Sequence, residues 1–410
     1  MPTISTKPTP TKQSSPPSSS QQPRLLSIDV LRGFDMLWIT GLKYFVIFTC
    51  VAAAVIPDRS AARSHWLLHQ LEHVDWIGLQ FYDLVFPLFL FLTGITIPLS
   101  ITSKLESGRA TKRDLTIRCI RRALLLIILG MIHQIHGLPL RWPSVLGFIG
   151  VSYFIAAMFA IYTPRSIQIA YIPTALLSYF IAIKYIPFNG HPAGTITEQS
   201  NFASYIDSFI IPAKHTLSQG LEIRKGITPT RPAYDPEGPF MAISGSALAM
   251  LGVAAGYILT NIKTKPIHRA LFLYATSIAC LLIAYTWSSE TLLGSQHLPL
   301  IKKIWTPSFI LAAAGYCFLL TATFYLVIDV ANNPIIRKLC FPLQLYGQNA
   351  LAVYMIGPAI GIFALCKSIF SPIINLFPSS YHSALIYGLI LLTQLTYLYI
   401  FYRKKIYLRV

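Results

Sequence analysis

From residue 24 onward the chain alternates long apolar runs with short polar gaps. The runs lie at about 34–56, 79–101, 123–135, 143–161, 167–186, 241–260, 268–287, 305–330, 343–366 and 384–402. Most are long enough to cross ~30 Å of hydrocarbon as helices, and the third is short. They predict an all-α, polytopic membrane protein with about ten transmembrane helices in one bundle. Residues 1–23 are rich in Ser, Pro, Thr and Gln and predict a disordered cytoplasmic tail ahead of a membrane domain spanning 24–410. The tail lacks the apolar core of a cleavable signal peptide.

Some stretches break the alternation. Residues 187–240 form a long mixed segment, and loops of that length are functional or disordered. Phe202, Tyr205, Ile206, Phe209 and Ile210 recur at helical spacing there, which predicts a short amphipathic helix within an ordered lid. Gly94-Ile-Thr-Ile-Pro98 should end or bend the second helix, because proline lacks the donor and crowds the preceding turn. Lys43 stands in the middle of the first span and calls for a partner or a helix break. The gap 331–342 reads as a short interfacial helix.

Composition supports the membrane reading. Of 410 residues, 54% are hydrophobic and 12% charged, against about 25% charged in soluble domains. The net charge of +18 does not indicate nucleic acid, because the bases fall in gaps between apolar runs. Seven lie within 104–122, including Arg118, Arg121 and Arg122. With the N-terminus in the cytoplasm, that loop, Arg32, Arg165, the 263–269 bases, Arg337, Lys338 and the C-terminal cluster all become cytoplasmic. The bias predicts N-in, C-in, and makes 187–240 an extracytoplasmic loop. The six cysteines include no C-x-x-C pair, so neither a disulfide framework nor a metal site is indicated.

The candidate chemistry gathers at the predicted outer face. His73 precedes the second span, with Asp75 and Asp83 close by. Neutral imidazole is a nucleophile or base near pH 7 and needs a group to orient it. Asp83 has the stronger claim, because it lies at a helix start where the dipole favours an anion. Asp235 and Glu237 flank Pro236 before the sixth span and could hold a polyhydroxyl or amino acceptor, or simply cap the helix. Lys43 is a further candidate for binding the acceptor. Toward the cytoplasm, Arg32 and the 104–122 bases could face phosphates or anionic lipid. Gln344, Tyr346, Gln348 and Asn349 give the ninth span a polar start that must bond across the bundle or line a cavity. Asp29 and Arg32 can form an i, i+3 ion pair.

Four stretches occur together and in order: Arg24-Leu-Leu-Ser-Ile-Asp-Val-Leu-Arg-Gly33, His73-Val-Asp-Trp-Ile-Gly with Asp83-Leu-Val-Phe-Pro-Leu-Phe, Tyr234-Asp-Pro-Glu-Gly238, and Tyr402-Arg-Lys-Lys-Ile406. The chain resembles the heparan-α-glucosaminide N-acetyltransferase family, in its shorter bacterial form. The resemblance implies transfer of acetyl from cytosolic acetyl-CoA, as co-substrate, to an amino sugar or hydroxyl of an extracytoplasmic glycan. It implies that His73 is the active histidine, beside which the sequence itself places Asp83 and Asp75. The placement of the residues themselves makes Arg32, Arg118, Arg121, Arg122, Gln344 and Asn349 the donor-side candidates, and Asp235, Glu237 and Lys43 the acceptor-side ones. The setting would be a bacterial inner membrane with the histidine on the periplasmic face. Membrane lipid is the only other partner implied, and a homodimer is left open. One departure stands out: the first span has no asparagine where the family carries one, and Thr40 and Lys43 are the polar residues there. Two other functions compete, a transporter for a saccharide or lipid-linked precursor and a non-catalytic scaffold. Both the covalent acetyl-histidine route and direct transfer remain open.

Overall fold

The computed structural model describes residues 25–134, 141, 143–224, 228 and 234–408. The tail expected over 1–23 and parts of the long loop lie outside that set. The main helices are α1 (Leu26–Leu37), α2 (Lys43–Ala52), α3 (Val85–Ile97), α4 (Lys112–His133), α5 (Val145–Tyr162) and α6 (Arg165–Tyr185). The long loop contributes α7 (Phe202–Ser208) and α8 (Leu217–Arg224). Then come α9 (Met241–Thr260), α10 (Pro266–Ser288), α11 (Pro307–Phe324), α12 (Phe341–Gln348), α13 (Ala350–Ala359), α14 (Ile362–Ile374) and α15 (Ser379–Arg403). Among the described residues no strand forms, and two isolated β-bridges, Phe188–His191 and Ile196–Asn201, pin the long loop. The protein is an all-α polytopic membrane protein.

Eight helical segments among the described residues are long and apolar enough to cross a membrane, or nine if α13 and α14 count as one bent span. The remaining expected span corresponds to α4, whose first half carries Lys112, Arg113, Arg118, Arg121 and Arg122. The expected continuous span 343–366 needs correction. It is interrupted at Asn349, and α13 and α14 meet at 69°. Pro358 ends the regular pattern there, and Gly361 adopts φ +58°.

The central layer is α3 against α9, flanked by α5 and α11. Side chains cannot separate α3 from α9 where they cross. A Cβ on Gly94 would stand 2.0 Å from the Ala249 carbonyl oxygen, and one on Gly252 would stand 2.2 Å from that of Phe91. Small residues let backbones approach, which is how helices associate without water to drive them together. The regular hydrogen-bond pattern of α3 stops at Ile97, and a wider π turn over Pro98–Thr102 leads into Ser103–Glu106. The helix does not end at Pro98 as expected; its hydrogen-bond pattern changes there and helical backbone continues to Glu106.

Helix alternation gives the bundle two ends. One carries the α3–α4, α5–α6 and α9–α10 connections and most of the bases, and is called the basic end. The other carries residues 53–80, the long loop and 289–306, and holds the site. At that end Trp76 Nε1 donates to the Ile196 carbonyl at 3.0 Å, and Lys303 pairs with Glu198 at 2.6 Å, tying the long loop down. Phe202 and Ala203 of α7 are buried, but Phe209 and Ile210 lie past its end and are exposed. The five-residue stripe is thus only partly an inward face.

Candidate active site

Asp83 is the centre of the site, and local sequence holds it there. It lies at the third position of the turn Phe81–Leu84 that opens α3, where its carboxylate completes a capping box with Gln80. Oδ2 accepts from the backbone N–H groups of Gln80 at 3.2 Å and Val74 at 3.3 Å. Oδ1 accepts from His73 Nδ1 at 2.7 Å and from Lys302 Nζ at 3.1 Å. With Nδ1 donating, its 3.3 Å separation from Lys302 Nζ is a contact between two donors sharing one acceptor. His73 Nε2 then carries the lone pair and makes no hydrogen bond among the described residues.

Lys302 is held by a rigid turn. Trp305, fully buried with φ +49°, packs on Phe148 at 4.5 Å and Phe86 at 4.9 Å. Its carbonyl accepts from Ser244 at 2.7 Å, and the Ile304 carbonyl accepts from Tyr179 at 2.6 Å. Burial pushes the Lys302 ammonium below its ordinary range, with Asp83 opposing. Burial also lowers the His73 imidazole, and the Lys302 charge acts in the same direction while the bond to Asp83 opposes both. The result is a neutral imidazole near pH 7, with Nδ1 protonated.

His73 sits between two cavities. The inner one, of about 360 Å³, is mainly apolar and extends past Phe86 and Phe89 to Met36, Ile149 and Ala350. Tyr82, Tyr354, Lys302, Glu237 and Leu217 also line it. The outer one, of about 410 Å³, is polar and lined by Arg63, His69, Glu72, Asp75 and Gln80. Half of the His73 side-chain surface (51%) remains accessible between them.

The other predicted residues are distributed differently from expectation. Asp75 does not touch His73; it is exposed and faces Arg63 across the outer cleft at 3.5 Å. Asp235 is buried, and Arg141 clamps it with two bonds of 2.6 and 2.5 Å. It also accepts from the N–H groups of Leu217 and Glu237 at 3.1 and 3.0 Å, so no capacity is left for an acceptor. Glu237 bonds the same guanidinium, but it lines the inner cavity. Burial, the dominant influence, pushes its carboxyl up to about 7, with Arg141 opposing. Lys43 has both of the anticipated features. It follows a π turn at Trp38–Leu42 in which Gly41 takes φ +155°, a backbone state that suits glycine. Its ammonium pairs with Glu72 at 3.0 Å and lies 4.3 Å from the Tyr82 ring centroid.

Toward the basic end, Arg32 pairs with Asp29 at 3.6 Å. Arg118 and Arg121 are exposed on α4, and Arg122 lies 4.3 Å from the Tyr153 ring centroid. Asn349 accepts from the Leu408 backbone at 3.0 Å, and Gln344 is half-buried on α12. Tyr346 donates to Gln394 at 3.1 Å, and Gln394 donates to the Thr40 carbonyl at 3.1 Å. The polar start of that segment therefore bonds across the bundle. His65 Nδ1 accepts from the Leu67 and Leu68 N–H groups, and His69 bonds the His65 carbonyl through Nδ1 and the Gln70 side chain through Nε2.

The chain matches human heparan-alpha-glucosaminide N-acetyltransferase at 27% identity over 383 residues, covering 82% of this chain and 53% of that protein. The mouse protein of the same name matches at 26% over 382 residues, covering 81% and 53%. The chain is a relative of the heparan-alpha-glucosaminide N-acetyltransferases. It spans about half the length of these curated relatives. No protein-family profile matches it.

Sequence reasoning missed Lys302 and Arg141 as members of the site. A signal was present: both are bases on the face that the charge bias should leave poor in them. Each is there with an acid, Lys302 with Asp83 and Arg141 with Asp235 and Glu237.

Proposed function

We propose that the protein transfers an acetyl group from cytosolic acetyl-CoA to an amino sugar or hydroxyl of an extracytoplasmic glycan, relayed through His73. The relatives are acetyltransferases by name, which supports the reaction class. The observation that carries the proposal is the position of His73 as a shared wall of two unlike cavities. The slender, weakly polar arm of the donor suits the inner apolar cavity. The hydroxyl-rich acceptor suits the outer polar cleft. In this reading the basic end faces the cytoplasm of a bacterial inner membrane. Met36, on the cavity floor, lies roughly 15 Å from the start of α1 at 1.5 Å per residue. The nucleotide stays at that basic end, where Arg32, Gln344 and the α4 bases are candidates to meet its phosphates.

The steps balance as follows. The Nε2 lone pair adds to the thioester carbonyl, the C–S bond breaks, and the thiolate leaves with the electron pair and takes up a proton. Asp83 holds the Nδ1 proton and stabilises the acetylimidazolium. An acceptor amine or hydroxyl then attacks the acetyl carbon from the outer cleft and the C–Nε2 bond breaks. The acceptor gives up one proton, for which Asp75 is an exposed carboxylate in the same cleft. Lys302 keeps Asp83 ionised and the imidazole neutral before the attack. Two substrates that approach from opposite sides of one ring favour this covalent route over direct transfer.

The test is single-turnover labelling. Purified protein given acetyl-labelled CoA and no acceptor should release free CoA and carry one acetyl group on the peptide containing His73. No label, or label that survives His73→Ala, would overturn the proposal.

A further inference from the structure

A third cavity adjoins the inner one. It has a volume of about 520 Å³ and lies between the α1–α2 break and the α13–α14 bend, with α15 closing its back. Its lining is mostly apolar, and it shares Ile39 and Tyr354 with the inner cavity beside His73. Phe363 on its rim is exposed, so it opens laterally on the membrane-facing surface of α14. Its walls include the π turn around Gly41 and the 69° bend between α13 and α14. Neither the donor route nor the outer cleft uses it.

Thr40, His133 and Gln394 also line the cavity, and a cation lies at a tyrosine pair. Tyr44 and Tyr387, both in the lining, stack at 5.1 Å. The Arg59 guanidinium lies 5.1 Å from the Tyr44 ring centroid, and it makes no salt bridge among the described residues. From there a short path leads to the reacting ring. Lys43 Nζ is 5.6 Å from the Tyr44 centroid and 4.3 Å from that of Tyr82, and Tyr82 lies 4.9 Å from His73. An apolar chamber with an exposed rim, a cation beside its Tyr44 wall and a histidine reached by way of Lys43 and Tyr82 suit an amphiphilic molecule. Its chain fills the chamber, its phosphate meets Arg59, and its sugar reaches His73.

We propose that this cavity holds the lipid chain of a lipid-phosphate-linked amino sugar, and that this is the acceptor presented to His73. The proposal rests on the acetyl-transfer reading for the identity of the reaction, but not for the occupancy of the cavity. A free glycan would need only the outer cleft. A lipid-linked one explains why the chamber opens sideways and why a base stands beside it, and its sugar would reach the outer cleft past Lys43, whose partner Glu72 lines that cleft.

Two readouts keep the two ideas apart. The full chain in phosphatidylcholine nanodiscs is exposed to farnesyl-phosphoryl-glucosamine bearing a diazirine in the farnesyl chain, then irradiated. Cross-links should map to residues 357–364 and 387–394, and Gly357→Leu should reduce them at least tenfold. A Cβ at Gly357 meets nothing closer than Ile362 at 3.7 Å, so this variant fills the cavity without a backbone clash. Arg59→Gln should weaken labelling severalfold. Acetylation is then compared for this probe and for glucosamine 1-phosphate, with kcat/KM favouring the farnesyl probe at least tenfold. Gly357→Leu and Ala364→Phe should erase that preference. Cross-links elsewhere, equal competition by phosphatidylglycerol, protection of the cavity by a second copy of the chain, or equal use of both probes would each overturn the proposal. Correct cross-links with no acetyl transfer would leave the occupant standing and remove the acetyl-transfer reading. Acetylation of the soluble probe with no cross-links would do the reverse.

Discussion

Two ionic clusters stand at the same end of the bundle, built from the same kinds of side chain. In one, Arg141 holds Asp235 and Glu237. In the other, Lys302 and His73 share Asp83. Both carboxylates at the centre are about 1% exposed. The difference lies in what is left over. Asp235 has every acceptor position occupied, by Arg141 and two backbone N–H groups. Asp83 is equally saturated, but one of its donors is an imidazole whose second nitrogen faces open space. Charge and burial alone therefore do not mark a reactive site. A saturated cluster joins the α4–α5 connection to the end of the long loop, while a cluster with one unspent nitrogen can do chemistry.

The sharpest way to break the comparison is to remove one member of each cluster. His73→Ala should lower acetyl transfer by on the order of 10²–10⁴-fold and leave thermal unfolding in detergent nearly unchanged. Transfer at the parental rate would remove His73 from the mechanism. Arg141→Met should do the opposite. It leaves two buried carboxylates without their cation, which costs about 3–5 kcal/mol. The melting temperature should fall steeply, while the molecules still folded continue to acquire acetyl on His73. A variant with unchanged stability would show that the Arg141 cluster is not structural.

Smaller effects sharpen the contrast. Lys302 is positive and lowers the His73 imidazole, so Lys302→Met should let the ring keep its proton to higher pH. The acid limb of the pH–rate profile should move to higher pH, with little change on the alkaline side. A limb that stayed in place would mean that Lys302 does not act through His73. The smallest effect is at the lid. Asp207 is buried, accepts from the Phe240 N–H at 2.8 Å, and has its carboxyl raised by burial to about 7. A raised carboxyl stabilises the folded form in its protonated state. That contribution is complete below the ordinary carboxylate range and is gone once the pH has passed about 7. Hydrogen exchange over 202–210, corrected for intrinsic rates, should therefore quicken as pH rises toward neutrality. Asp207→Asn should remove that pH dependence, and a variant with the same pH response would assign it to another group.

The bundle was largely legible in the chain because a bilayer imposes length and composition on whatever crosses it. Every expected apolar run meets a helix. His73 and Asp83 were legible as a pair because a carboxylate at the start of an apolar helix has few alternatives to capping and pairing. The partners of Asp75 and Asp235 were not legible for a common reason. Each is close in sequence to a plausible role, but partners from distant segments, Arg63 and Arg141, decide what it does. The bent α13–α14 segment was read as straight because apolar composition alone does not record the angle between two helices.

The sequence by itself determined the apolar spans, the basic end, the polar threshold before α3 and the histidine within it. These are properties of periodicity, length and local capping, and each acts within a few turns of chain. Only the tertiary structure decided which carboxylate is spent and which histidine nitrogen is free. It alone brought Lys302 from 219 residues away to within 3.1 Å of Asp83, and it alone set two unlike cavities on either side of one ring. The physical reason is that saturation of a buried polar group depends on every donor the fold can bring to it, and donors far apart in the chain carry no local mark of that meeting.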